Sequence, residues 1–108
     1  MKKNNIQVLV LVTVLLLFVS TGYAQDEIDA IRSAAERGDI NAQFDLGSRY
    51  ADGNGLRKDY VQAHMWLNLA ASAGKESAIR LHDEIVRRMT PSQNAQADEW
   101  ARKWQPVE

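Results

Sequence analysis

His64 and His82 are the only histidines in the 108-residue chain, and Asp83 and Glu84 follow the second directly. Two neutral imidazoles with a carboxylate are a ligand set that zinc accepts, since all three donate lone pairs at similar range. The two histidines fall on separate helical segments. The simpler reading is a pair of partly exposed polar residues, with a metal site as its rival. Gly53-Asn54-Gly55 raises the different chemistry of a phosphate-cradling loop. It lacks a third glycine, a preceding strand and a Lys-Ser/Thr ending, so a plain turn is preferred. Asp52-Gly53-Asn54 would open a calcium loop only with glycine at the sixth place and glutamate at the twelfth; Arg57 and Ala63 stand there. Ser33, Ser48, Ser72, Ser77 and Ser92 have no Gly-x-Ser-x-Gly frame, and cysteine is absent. No catalytic residue and no cofactor emerge, so an enzyme is not expected.

These residues sit on elements that repeat. Ala34, Ala35, Gly38 and Ala42 recur as Ala70, Ala71, Gly74 and Ala78, and Ile31 recurs as Leu67, each 36 positions on. A period of this size marks stacked supersecondary units. Ile28, Ile31, Ala34 and Ala35 form one helical stripe, closed by Gly38. Ala42, Leu46 and Tyr50 form a second. Ala63, Trp66, Leu67, Ala70 and Ala71 form a third, closed by Gly74. Ala78, Leu81, Ile85 and Met89 form a fourth. Thr90-Pro91-Ser92-Gln93 reads as a helix start, with Thr as N-cap, Pro in the first turn and Gln completing a capping box. Ala97, Trp100, Ala101 and Trp104 carry that fifth helix on, and Gln105-Pro106 ends it. The two tryptophans on this stripe are expected to cover the open end of the stack. Asp83 with Arg87, and Glu84 with Arg88, have the i, i+4 spacing of a solvated, paired face. The chain is expected to be all-α, a short solenoid of antiparallel helix pairs with about five helices.

Ala42, Leu46, Gly47, Tyr50, Gly53, Gly55, Leu56, Asp59, Ala63, Trp66, Ala70, Ala71 and Gly74 stand at the spacing of the Sel-one-like repeat, and the segment resembles that family, a relative of the tetratricopeptide repeat. Leu56 replaces the usual Val. One full repeat covers about residues 41–76, and the helix before it resembles the second half of a preceding repeat. From Ala78 on the pattern decays. His82 and Asp83 occupy the Leu-Gly places and Val86 the Tyr place, so residues 77–104 are expected to be capping helices. Gly47 is expected to admit close approach of a partner helix, and Gly53 and Gly55 to allow the positive φ of a tight turn. The resemblance implies binding of a protein or peptide partner and assembly of complexes. It also implies a concave face at Asn41, Phe44, Ser48 and Asp52, and one period on at Ser77, Arg80, Glu84 and Arg88, with Arg87 beside them. Phe44 lies off its helix's core stripe. It either anchors a partner in the groove or packs on the preceding helix. Arg80, Arg87 and Arg88 are candidates for holding a carboxylate or phosphate.

Residues 1–24 read as an address rather than as fold. Lys2 and Lys3 precede an apolar run from Val8 to Val19, shorter than the roughly 18–20 residues of a membrane span. Gly22 and Ala24 suit the −3 and −1 places of a signal-peptidase site, with cleavage before Gln25. A periplasmic or secreted bacterial protein with no stable membrane span after cleavage is expected. Retention of the apolar run as an anchor is the alternative. Residues 25–108 then carry 11 basic against 14 acidic side chains. That balance offers no electrostatic footprint for nucleic acid. A small exported domain without disulfides must be held by helix packing, a partner or self-association, so a homodimer is one possibility. The reading is an exported, non-catalytic helical-repeat binding module. The alternative is a small exported metal- or ligand-binding protein using His64, His82 and nearby acids.

Overall fold

The computed structural model describes residues 2–108, with side chains at 5–14 and 23–108. Five helices follow one another: α1 (Lys2–Glu36), α2 (Ile40–Asp52), α3 (Tyr60–Ser72), α4 (Glu76–Val86) and α5 (Pro91–Lys103). No strand occurs among the described residues. The solenoid class and its five helices are as the periodicity predicts. The starts of α2, α3 and α5 each have a local cause, a side-chain cap that α4 lacks. Asp39 and Asp59 accept hydrogen bonds from the backbone N–H groups of Ala42 and Gln62, at 2.9 and 3.1 Å. The predicted capping box at α5 is present. The Gln93 N–H donates to the Thr90 hydroxyl at 3.1 Å, and the Thr90 N–H to Gln93 Oε1 at 3.0 Å.

α1 runs without a break through the expected cleavage position, and its end packs against α2. The described side chains from Ile6 to Val14 are exposed, the large apolar ones by 47–68%. Among the described residues the first buried one is Ile28. The side chains of Lys2, Lys3, residues 15–19 and Gly22, on which most of the expected export signal falls, lie outside the described residues. Among the described residues no helix is long and apolar enough to cross a membrane.

α3 is the centre of the stack, packed against α2, α4 and α5. Ala63, Leu67 and Ala70 are fully buried, with Ala78, Ile85, Met89 and Ala97 closing around them. A second cluster joins Ala35 of α1, Leu46 of α2 and Met65 and Trp66 of α3. α2 comes closest to α3 at Gly47, where a Cβ would stand 2.8 Å from Leu67 Cγ and 3.2 Å from the Leu67 backbone nitrogen. The backbone atom cannot yield as a side-chain tip would. Gly55 serves differently. Its φ of +76° turns the chain, and a Cβ there would meet Ile28 Cδ1 at 3.1 Å, so the α2–α3 turn sits directly on α1. Arg49 ties the same junction, 2.9 Å from both Asp45 of its own helix and Glu27 of α1.

The last turn corrects one expectation. Trp104 lies edge-on to Trp66, ring centroids 6.3 Å apart, and seals the second cluster. Trp100 does not join it; the side chain is on the outer surface of α5, 37% exposed. After Trp104 the chain extends back to α1, where the Val107 N–H donates to the Glu36 carbonyl at 2.8 Å.

Gly47→Ala therefore has no room to relax and is expected to cost about 1–3 kcal/mol, the usual range for overpacking. Chemical denaturation should show a lower midpoint at an unchanged slope. Ser48→Ala, one position on and half-buried, should stay within about 0.5 kcal/mol of the parent. Equal effects at the two positions would contradict the close approach.

Candidate functional site

The expected concave face is built by α2 and α4, which touch only lightly. Asn41, Asp52, Arg80, Glu84, Arg87 and Arg88 are exposed, while Phe44, Ser48 and Ser77 are half-buried. Phe44 packs against the α3–α4 core rather than on the preceding helix. Its free ring face is covered by Lys75, whose Nζ lies 5.1 Å from the ring centroid and donates to Asn41 Oδ1 at 2.9 Å. Lys75 is the residue before α4, so one ammonium joins the starts of α2 and α4. Such a contact contributes about 0.5–1 kcal/mol at a partly exposed site. The Ser48 hydroxyl donates back to the Phe44 carbonyl at 2.8 Å and is therefore occupied within its own helix.

The cations at the far end of α4 divide. Arg88 pairs with Glu84 at 2.8 Å. Lys58 and then Arg88 hold the Tyr60 hydroxyl below its ordinary pKa. The expected Asp83–Arg87 pair does not form. α4 stops at Val86, and Asp83 instead lies 3.7 Å from His82 Nδ1. Arg80 and Arg87 are left as the exposed cations of the face. Nearby, Tyr50, Leu56, Arg57, Lys58, Asp59 and Gln62 line an open cleft of about 430 Å³ along the α2–α3 turn.

The histidines correct a second expectation. His64 is buried, and His82 is brought to it with ring centroids 4.3 Å apart at a steep angle. Asn94 and Asp98 of α5 complete a polar cluster that periodicity alone did not reveal. His64 Nδ1 lies 3.1 Å from Asn94 Oδ1, and His64 Nε2 lies 3.1 Å from Asp98 Oδ1. Asn68, one turn along α3, donates to the same carboxylate at 3.3 Å. Burial pushes the His64 imidazole below its ordinary pKa and His82 adds to that, while Asp98 and Asn94 act in the opposite direction. Among the described residues no group of three or more His, Asp or Glu is placed to hold a metal ion. The cluster can donate, accept and exchange a proton.

If Lys75 holds Phe44 as its position indicates, a double-mutant cycle of Phe44→Ala and Lys75→Ala should give a coupling of about 0.5–1 kcal/mol in unfolding free energy. Strict additivity would show that the ammonium contributes nothing to the groove.

Comparison with known proteins follows the same lines. The family model described as Sel1 repeat matches residues 40–75, the segment from the first residue of α2 to the residue before α4. The alginate biosynthesis protein AlgK of Azotobacter vinelandii is 27% identical over 82 residues, which cover 76% of this chain and 18% of AlgK. This chain thus spans less than a fifth of that relative's length. The family match falls on the helix pair whose close approach at Gly47 and turn at Gly55 were described above, so the segment 40–75, α2 and α3, has the pattern of one Sel1 repeat.

Proposed function

We propose that this chain is an exported, non-catalytic adaptor that binds a protein or peptide partner on the α2–α4 face and holds it in a larger assembly. The observation that carries this reading is the Sel1 repeat itself, whose helix pair displays a preformed face rather than a constellation of reacting groups. A helical repeat of this kind exposes the first helices of its pairs along one side, where partners dock. Arg80 and Arg87 offer exposed cations on that side for a partner's carboxylates. Engagement of Lys75 with Asn41 and Phe44 keeps the face ordered before binding, which lowers the entropic cost of association. The likeness to an alginate biosynthesis protein directs the search for a partner towards polysaccharide-producing assemblies.

Export is part of the proposal. The basic start, the apolar run and the small residues at Gly22 and Ala24 support cleavage before Gln25, and residues 23–27 are exposed ahead of the first buried side chain. Cleavage there would leave every residue described as buried in place and give a periplasmic or secreted protein. A second copy of the chain is the competing partner.

A photo-reactive residue placed at Asn41 or Arg80 is expected to capture the same discrete adduct in the producing cells. One placed at Gln96, on the outside of α5, should not. The mass of the adduct separates a homodimer from a different protein. Loss of the adduct in a folded Phe44→Ala variant would complete the case. Equal labelling from Gln96, or none from either groove position, would contradict the assignment of the face.

A further inference from the structure

The α2–α3 turn holds a reactive pair of residues that the adaptor reading does not use. Asn54 precedes Gly55, and of the six asparagines in the chain it is the only one followed by glycine. Glycine has no Cβ to shield its backbone nitrogen from the side chain before it. Both residues are exposed. The backbone nitrogens of the turn are engaged unequally. The Gly53 and Asn54 N–H groups both donate to the Arg49 carbonyl, the second at 3.0 Å. Among the described residues the Gly55 N–H has no backbone acceptor. The asparagines of α2, α3 and α5 are placed differently. Lys75 holds Asn41, Asn68 donates to Asp98, and Asn94 is held between His64 and the Val86 carbonyl. Each of these three is followed by alanine or leucine within its helix.

We propose that Asn54 is a site of spontaneous covalent modification, converting with age to aspartate and isoaspartate and so loosening the hold of the α2–α3 turn on α1. The reaction consumes only water. The Gly55 nitrogen gives its proton to a solvent base and attacks Asn54 Cγ. A new C–N bond forms, the bond from Cγ to the side-chain nitrogen breaks, and ammonia leaves with a proton from solvent. The product is a five-membered succinimide. Water then opens the ring at either carbonyl. Opening at Cγ restores the main chain and leaves aspartate. Opening at the backbone carbonyl leaves isoaspartate, whose main chain runs through the side-chain carbon. In both cases one amide and one water become one carboxyl group and one ammonia.

The position of the turn gives the change a consequence. Gly55 is seated on α1: its Cβ position lies 3.1 Å from Ile28 Cδ1 and 3.7 Å from Arg49 Nη1. Isoaspartate adds one carbon to the main chain directly before Gly55, so the turn must lift from Ile28 or push it aside. Both products also add a carboxylate next to the residue that Arg49 approaches. Arg49 is shared at 2.9 Å between Asp45 of its own helix and Glu27 of α1. Glu27 is the more exposed of the two, so the new charge competes with it first. Isoaspartate carries both effects and loosens α1 more than aspartate does.

Ageing the purified full chain at mildly alkaline pH, which supplies the base, tests the proposal, with a synthetic peptide of residues 50–57 aged beside it. After trypsin digestion the fragment Tyr50–Arg57 should give two new species, each heavier than the parent by one mass unit as oxygen replaces NH. Fragments holding Asn41, Asn68 and Asn94 should keep their masses. Asn54→Gln should also stay unchanged, because its longer side chain would have to close a larger ring. Hydrogen exchange at the amides of residues 28–36 should be faster in the isoaspartyl chain than in the parent. It should also be faster than in Asn54→Asp, which carries the charge alone. A fragment still unmodified after the free peptide has converted would show that the turn protects Asn54, and would overturn the proposal. So would a modified chain in which residues 28–36 exchange no faster than in the parent.

Discussion

Gly47 brings α2 so near to α3 that a single methyl group there would meet Leu67 at 2.8 Å. The rest of the chain is arranged around this approach. With α2 pressed against it on one side, α3 is left to meet α4 and α5 on the others, and five consecutive residues from Ala63 to Leu67 are buried. A helix buried over so much of its circumference needs small residues where neighbours are close, which Ala63 and Ala70 provide. It also needs partners for any polar residue it contains. His64 and Asn68 cannot reach water freely, so α5 must supply Asn94 and Asp98. The close packing and the buried polar cluster are thus two consequences of one constraint.

The features written into short stretches of sequence were legible. The Thr90-to-Gln93 capping box is a contact within four residues and appears as the spacing predicts. The 36-residue period identifies the helices, and the Ala and Gly positions identify the repeat. What escaped was the rotation of α5 about its own axis. The N-caps Asp59 and Thr90 stand 31 residues apart, short of the period, because α4 is shorter than α2 and the turn after it is shorter still. α5 therefore does not repeat the register of α3. It turns Asn94 and Asp98 inward and leaves Trp100 outside. Hydrophobic type alone would have placed Trp100 in the core and His64 at its edge. The cover of Lys75 over Phe44 escaped for a related reason. It depends on how near the starts of α2 and α4 lie, which no single helix encodes.

The molecule thereby separates two kinds of surface. The α2–α4 face is ordered by Lys75 and carries exposed cations, a surface suited to holding a partner. The α3–α5 seam is buried and polar, closed by His64, Asn68, Asn94 and Asp98. Trp104 and the return of the chain to Glu36 connect the end of that seam to α1. Any movement of α5 is therefore felt at the start of the stack as well as at its end.

The central claim is that α3 is the keystone on which the other helices depend. Native-state hydrogen exchange at neutral pH measures this helix by helix. The backbone amides of α3 from His64 to Ala70 should exchange only through global unfolding. Those of α5 should open at a lower free energy, and residues 5–14 of α1 should show little protection beyond that of an isolated helix. If α5 proved as protected as α3, or if α3 exchanged before α2 and α4, the stack would be held from somewhere else and the account would be wrong.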